Sequence, residues 1–79
     1  MRILIGNLPD DVTQDGIREA LSPFAPVEAI TLFHESGAPT ALIVLETSRE
    51  HAESLAKRIE GRIYQGRALR AWVPLMDWQ

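Results

Sequence analysis

Apolar residues recur along the chain with two different periods. Strand-like stretches, either continuously apolar and β-branched or alternating with polar residues, occupy residues 2–5, 27–35, 40–46 and 67–74. Two further stretches carry apolar residues at i, i+3, i+4 and i+7, which predicts a buried stripe along a helix. The stripes are Ile17, Ala20, Leu21 and Phe24 in the first helix, and Ala52, Leu55, Ala56 and Ile59 in the second.

Capping residues predict where the two helices begin and end. Thr13 is the expected N-cap of the first helix. Thr47 and Glu50 have the spacing of a capping box, which predicts that the second helix opens at Thr47. Gly61 is expected to end that helix, because glycine often follows a last helical turn. Pro74 should stop the last strand.

The element order is strand, helix, strand, strand, helix, strand. It predicts an α+β fold, a ferredoxin-like βαββαβ sandwich with a four-stranded antiparallel sheet and both helices on one face. A chain of 79 residues suits a single domain, which we expect to span residues 1–79 with 75–79 as a short C-terminal tail. The sheet face without helices is called the open face below, and we expect the function to lie there.

Strand alternation assigns the outward-pointing residues of the open face. They are Arg2, Leu4, Thr31, Phe33, Thr40, Leu42, Val44, Arg70 and Trp72. Two of them are arginines on the first and last strands, which pair in this topology, so we expect Arg2 and Arg70 to be neighbours. Guanidinium groups bind phosphate and aromatic rings stack on bases, so this set favours a nucleic-acid site.

Charge and composition narrow the candidate functions. The net charge of −3 gives no overall basic field, so a nucleic-acid site must be a local patch. The chain has no cysteine, and its two histidines, His34 and His51, lack the spacing of a metal site or of a nucleophile–base pair. We therefore expect no catalysis, no metal and no cofactor. No apolar run is long enough to span a membrane and no leader is recognisable, so we expect a cytoplasmic protein.

Several spaced motifs resemble those of the RNA-recognition motif family. "ILIGNLP" (3–9) is similar to its short signature strand, and "GRALRAW" (66–72) to the start of its last strand. The family's stacking aromatics fall on Leu4, Thr40 and Leu42, so the chain resembles a member without these rings. The resemblance implies binding of single-stranded RNA. This binding should be weakened by the missing rings, because each base stacked on a ring contributes about 1–3 kcal/mol. The candidate RNA-binding residues are Arg2, Leu4, Asn7, Phe33, Thr40, Leu42, Arg70 and Trp72.

Protein interaction through the same face is the alternative hypothesis. The apolar residues of the open face would form a large patch for a monomer, which a partner, a second copy or the tail should cover. The candidates are Leu4, Leu42, Val44, Met76 and Trp78. Separately, "GRIY" (61–64) resembles the Arg-x-Phe loop of family variants that bind tryptophan-bearing peptides, and the acidic residues around the first helix would suit a basic ligand.

Overall fold

The computed structural model describes residues 1–34 and 37–74. The elements of these ranges are β1 (Arg2–Gly6), α1 (Gln14–Leu21), β2 (Val27–Phe33), β3 (Thr40–Leu45), α2 (Arg49–Ile59), β4 (Ile63–Tyr64), β5 (Arg67–Ala68) and β6 (Arg70–Trp72). Four strands form an antiparallel sheet in the order β2-β3-β1-β6, which confirms the predicted fold. The second strand was predicted to span residues 27–35, but His34 is not in the strand. Glu35 and the tail with Met76 and Trp78 lie outside the described residues.

Both helices begin at a polar N-cap, but the second does so one residue later than predicted. Thr13 Oγ1 accepts a hydrogen bond from the backbone N–H of Gly16 at 3.0 Å, as expected. At α2 the cap is Ser48, whose Oγ accepts from His51 N at 3.2 Å. Thr47 was the wrong choice: its hydroxyl lies 2.9 Å from Nδ1 of the His51 ring. Gly61, with φ +82°, follows the C-cap of α2 as predicted.

The core lies between the helices and the inner sheet face. Within it, α2 buries Ala52, Leu55 and Ala56 against the fully buried Ile3 and Ile43 of the central strands. Burying each isoleucine or leucine side chain fully contributes about 1.5–3 kcal/mol. The predicted stripe of α1 is only half right. Ile17 and Leu21 are buried, but Ala20 is exposed, and the helix ends at Leu21, which leaves Phe24 in an exposed turn.

The last predicted strand, residues 67–74, is divided in two. β5 pairs with β4 in a small hairpin, and β6 pairs with β1 in the main sheet. Gln65 and Gly66 both have positive φ, the signature of the type I′ turn that suits two-residue hairpin loops. No helix of the described ranges is long and apolar enough to cross a bilayer.

Three hydrogen bonds fasten this hairpin to the turn that follows β1. The Asn7 side chain donates through Nδ2 to the carbonyl of Ala68 at 2.8 Å. Arg67 donates to the Asn7 carbonyl oxygen at 3.2 Å and to Oδ1 at 2.7 Å. Asn7 itself has φ +60°, a conformation that asparagine tolerates better than most residues. We call this contact the Asn7 clamp.

Candidate nucleic-acid interface

The strand registers arrange the outward residues of the open face into two rows that cross all four strands. The first row runs from β2 to β6 through Phe33, Thr40, Gly6 and Arg70. The second runs in the same direction through Thr31, Leu42, Leu4 and Trp72. The predicted alternation of faces is therefore right, and the two rows together hold most of the predicted site.

Trp72 leans from its own row towards the first row and covers Gly6. A Cβ atom at Gly6 would lie 3.7 Å from Cζ3 and Cη2 of the Trp72 ring and 3.7 Å from Oγ1 of Thr40. The backbone of Trp72 is opposite Leu4, so its ring reaches diagonally across β1. The residue remains 45% exposed. An edge strand thus delivers aromatic surface to the middle of the sheet, beside two positions that lack a ring of their own.

Phe33 provides a second ring at the other end of the first row. It lies opposite Thr40 on β2 and is 39% exposed. Two strand spacings, about 10 Å, separate β2 from β1, over which the Trp72 ring lies. The half-buried Thr40 occupies the strand between them. The two rings are therefore about two strand spacings apart, with the Thr40 hydroxyl between them.

The apolar centre of the open face is less exposed than the sequence suggests. Leu4 lies on this face as predicted, but it is only 7% exposed, flanked by Leu42 and Trp72 in the register. Leu42 and Val44 are half-buried. The expectation of a large exposed apolar patch is therefore wrong at Leu4, whereas Phe33 and Trp72 are exposed apolar residues of this face.

The two arginines of the open face are not neighbours. Arg70 lies opposite Gly6, whereas Arg2 lies four residues earlier on β1, opposite Val44. That offset along a strand amounts to about 14 Å, because each residue advances the strand by about 3.4 Å. The expectation that Arg2 and Arg70 are neighbours is therefore wrong.

Glu60 pairs with the charge of Arg70 and also accepts a hydrogen bond from the edge strand of the sheet. Its Oε2 lies 3.0 Å from Nε of Arg70, and its Oε1 accepts from the backbone N–H of Ala71 at 2.7 Å. The carboxylate therefore satisfies an edge donor of β6 while it orients the guanidinium. The sequence-based prediction missed Glu60, because nothing in its spacing indicates a partner ten residues later.

Two of the four other basic residues between Lys57 and Arg70 have partners of their own. Arg67 is held in the Asn7 clamp, and the guanidinium carbon of Arg58 lies 5.6 Å from the centroid of the Phe24 ring on the helix side. The amide of Asn7 is used within the clamp, which gives this residue a structural role, and its contact with RNA stays a prediction. Across residues 1–34 and 37–74, no three His, Asp or Glu side chains cluster as metal ligands would.

The comparisons with known proteins point to one family. A family model described as RNA recognition motif matches residues 3–70. No curated protein matches the chain. Among solved structures, the Pes4 RRM3 structure is similar with a TM-score of 0.84 and 24% identity, covering 99% of this chain and 95% of that chain.

Two further structures extend this comparison. A C. elegans NONO-1 homodimer gives a TM-score of 0.79 at 34% identity, covering 94% of this chain and 28% of that chain. The structure of the Rna15 RRM with bound RNA (GU) gives a TM-score of 0.77 at 20% identity. That match covers 95% of this chain and 83% of the Rna15 chain.

Proposed function

The chain belongs to the RNA recognition motif family, and from that membership we propose that it binds single-stranded RNA on the open face of its sheet. One observation carries the residue-level proposal: the exposed ring of Trp72 lies over Gly6, where it faces solvent beside the ringless positions Leu4 and Thr40. Base–aromatic stacking tolerates any sequence, because every base has a π-face.

We further propose a separate role for each functional residue of the first row and for the Trp72 ring that leans over it. Trp72 and Phe33 each stack one base, and the Thr40 hydroxyl donates to or accepts from a base edge between them. Arg70 contributes a guanidinium at the β6 end of the row, and Glu60 orients it. With two rings and few cations, the site should bind RNA weakly, and it works by binding alone, without catalysis.

Self-association is a second proposal, and it has narrower support. NONO-1, which is 34% identical over the matched region, forms a homodimer in its solved structure. The chain spans only 28% of that protein, so most of the NONO-1 chain has no counterpart here. The burial of Leu4 also leaves less aliphatic surface on the open face for a second copy.

Replacing Trp72 tests the proposed RNA site. Anisotropy titrations of a random single-stranded RNA octamer pool would be run at about 50 mM salt, where phosphate contacts are strongest. Trp72→Ala should weaken binding by about 5- to 150-fold, the equivalent of one stacked base. Tyr64→Ala is the matched control, because Tyr64 is 42% exposed but lies on the helix side, and it should bind like the wild type. Equal binding by Trp72→Ala and the wild type would refute the site.

A further inference from the structure

The two edge strands of the main sheet, β2 and β6, differ in how their edges are covered. On β6, the Glu60 carboxylate accepts a hydrogen bond from the backbone N–H of Ala71 at 2.7 Å. On β2, Arg18 donates to the carbonyl of Val27 at 3.1 Å, and a bulge lies between Val27 and Ala29. Beyond the bulge, no strand within residues 1–34 and 37–74 pairs with the outer side of β2. We call residues 29–33 the β2 edge.

The hydrogen bonds of β3 show which of its residues turn their backbone groups towards β2. Met1 donates to the Leu45 carbonyl at 2.8 Å, and Leu45 N–H donates to the Met1 carbonyl at 2.7 Å, so Leu45 bonds towards the β1 side. Backbone groups alternate in direction from one residue to the next along an antiparallel strand. Leu42 and Thr40, at odd offsets from Leu45, therefore bond towards β2.

The register between β2 and β3 carries this alternation to the β2 edge. Thr31 and Phe33 lie opposite those two residues of β3, so their backbone groups are used inside the sheet. Ile30 and Leu32 alternate with them, so their N–H and C=O groups point away from the sheet. An outward row of this kind is a template for pairing with a further strand.

The β2 edge is complementary to itself. In an antiparallel pair of two copies with a two-fold axis at Thr31, Ile30 of each copy lies opposite Leu32 of the other. Both of these pairs can then exchange the outward hydrogen bonds. On the open face, Thr31 meets Thr31 of the second copy, and Phe33 meets Ala29. A threonine pair across two strands is stabilising, and a small residue leaves room for a ring.

The charges at the β2 edge also suit a second copy. Residues 29–33 carry no charge, whereas edge strands that avoid pairing commonly carry charged residues. In the register described, the next residue, Glu28, falls beside His34 of the second copy. Both side chains are exposed. A carboxylate therefore meets an imidazole at each end of the paired strands, and no two like charges face each other.

We propose that two copies of this chain pair through their β2 edges, antiparallel about Thr31, and join their sheets into one sheet of eight strands. The proposal deepens the self-association proposed above, because it moves the contact from the open face to the edge of the sheet. Pairing through backbone groups needs no large aliphatic patch, so the burial of Leu4 does not oppose it.

The pairing extends the proposed RNA site, and this consequence rests on the proposed function. The first row of one copy continues across the axis into the row of the second copy that holds Ala29, Val44 and Arg2. The joined row has Arg70 at one end and Arg2 of the second copy at the other. It crosses six strand spacings, about 29 Å. The partner thus adds an arginine position to the row that one copy leaves without it.

Sedimentation of the full chain without RNA tests the pairing at protein concentrations up to about 1 mM, because small interfaces bind weakly. The wild type should shift from monomer to dimer as its concentration rises. Thr31→Lys and Thr31→Glu should each weaken the dimer by about fivefold, since two like charges then meet across the axis. An equimolar mixture of these two variants should restore the dimer, because opposite charges meet in the mixed pair.

Ala68→Lys is the matched control, because it adds a lysine to another exposed strand residue, in the hairpin, and should sediment like the wild type. Circular dichroism checks that every variant is folded. An equal loss in Ala68→Lys, or a mixture no more dimeric than its components, would overturn the assignment to the β2 edge. Assemblies larger than a dimer would also overturn it, since this pairing uses both β2 edges.

The wild type alone separates this proposal from the proposed RNA site. A wild type that stays monomeric up to about 1 mM would overturn the pairing and self-association with it. RNA binding is measured separately, by the anisotropy titration of the wild type and Trp72→Ala. A failure there would refute the RNA site and leave the sedimentation result unchanged.

Discussion

At the scale of the residue, the position of the Trp72 ring depends on the absence of a side chain at Gly6. A Cβ at Gly6 would lie 3.7 Å from two atoms of the Trp72 ring, so the absence of a longer side chain at Gly6 leaves room for the ring. Glycine inside a strand weakens the strand and often marks a close approach by another group. Here the approaching group is the ring that we propose as the main stacking surface for RNA.

Side-chain size at Gly6 should therefore control RNA binding. A single Cβ would meet the Trp72 ring at 3.7 Å, which is an ordinary contact, so Gly6→Ala should bind RNA within about twofold of the wild type. The γ-methyl groups of Gly6→Val would displace the ring, and binding should fall by about tenfold, the equivalent of a lost stack. The same anisotropy titration measures both variants, and circular dichroism checks their fold. Equal RNA affinities of Gly6→Ala and Gly6→Val would show that the position of the Trp72 ring does not affect binding.

Residue-level prediction from the sequence was limited by side-chain direction. Alternation placed Trp72 and Phe33 on the open face, because backbone geometry fixes the face. It could not foresee that Trp72 would cover Gly6, since that depends on a rotamer and on space left by a residue in another strand. Alternation likewise could not foresee that the guanidinium of Arg70 turns towards Glu60, because that direction also depends on a rotamer.

The hairpin and the start of α2 carry the main surprises at the scale of the element. The capping-box spacing favoured Thr47, but two adjacent hydroxyl residues offer the same chemistry, and the backbone decides between them. Ser48 has the extended conformation of an N-cap, with φ −79° and ψ 162°. The hairpin was missed because two-residue strands show no periodicity, and Gln65 is an uncommon residue for a turn with positive φ.

Removing the hydroxyl at each position distinguishes the two caps. Ser48→Ala should lower the free energy of unfolding by about 1 kcal/mol, because it removes the acceptor for an N-terminal N–H of α2. Thr47→Ala removes only an exposed contact with the His51 ring and should cost less than about 0.5 kcal/mol. Urea denaturation of both variants gives the comparison. A larger loss of unfolding free energy in Thr47→Ala than in Ser48→Ala would show that Thr47 is the N-cap.

At the scale of the whole molecule, the arginines are divided between the open face and the helix side of the sheet. Among the strand residues of the open face, Arg2 and Arg70 are the cations, and about 14 Å of strand separates their positions. Arg58 and Arg62 lie on the helix side instead. The fold followed from the sequence because the order of helices and strands admits few topologies. The position of each cation did not follow, because long side chains reach partners that are distant in sequence.

This distribution predicts a shallow dependence of RNA binding on salt. Two cations can neutralise at most two phosphates, so the slope of log K against log salt should be no steeper than about −1.4 for single-stranded RNA. Raising salt from about 50 to 200 mM should then weaken binding by no more than about sevenfold. Anisotropy titrations at four salt concentrations measure the slope. A slope steeper than about −3 would show that cations from the helix side also contact RNA.

The Asn7 clamp has a thermodynamic consequence, because it touches both sides of the molecule. One end holds the hairpin whose residues Ile63 and Tyr64 line a cavity between α1 and α2. The other end is the turn directly after Gly6, beneath the Trp72 ring. A ligand that displaces the hairpin would therefore also displace the turn under the ring. Linkage then requires reciprocity: any such ligand that changes the affinity for RNA by some factor has its own affinity changed by RNA by the same factor.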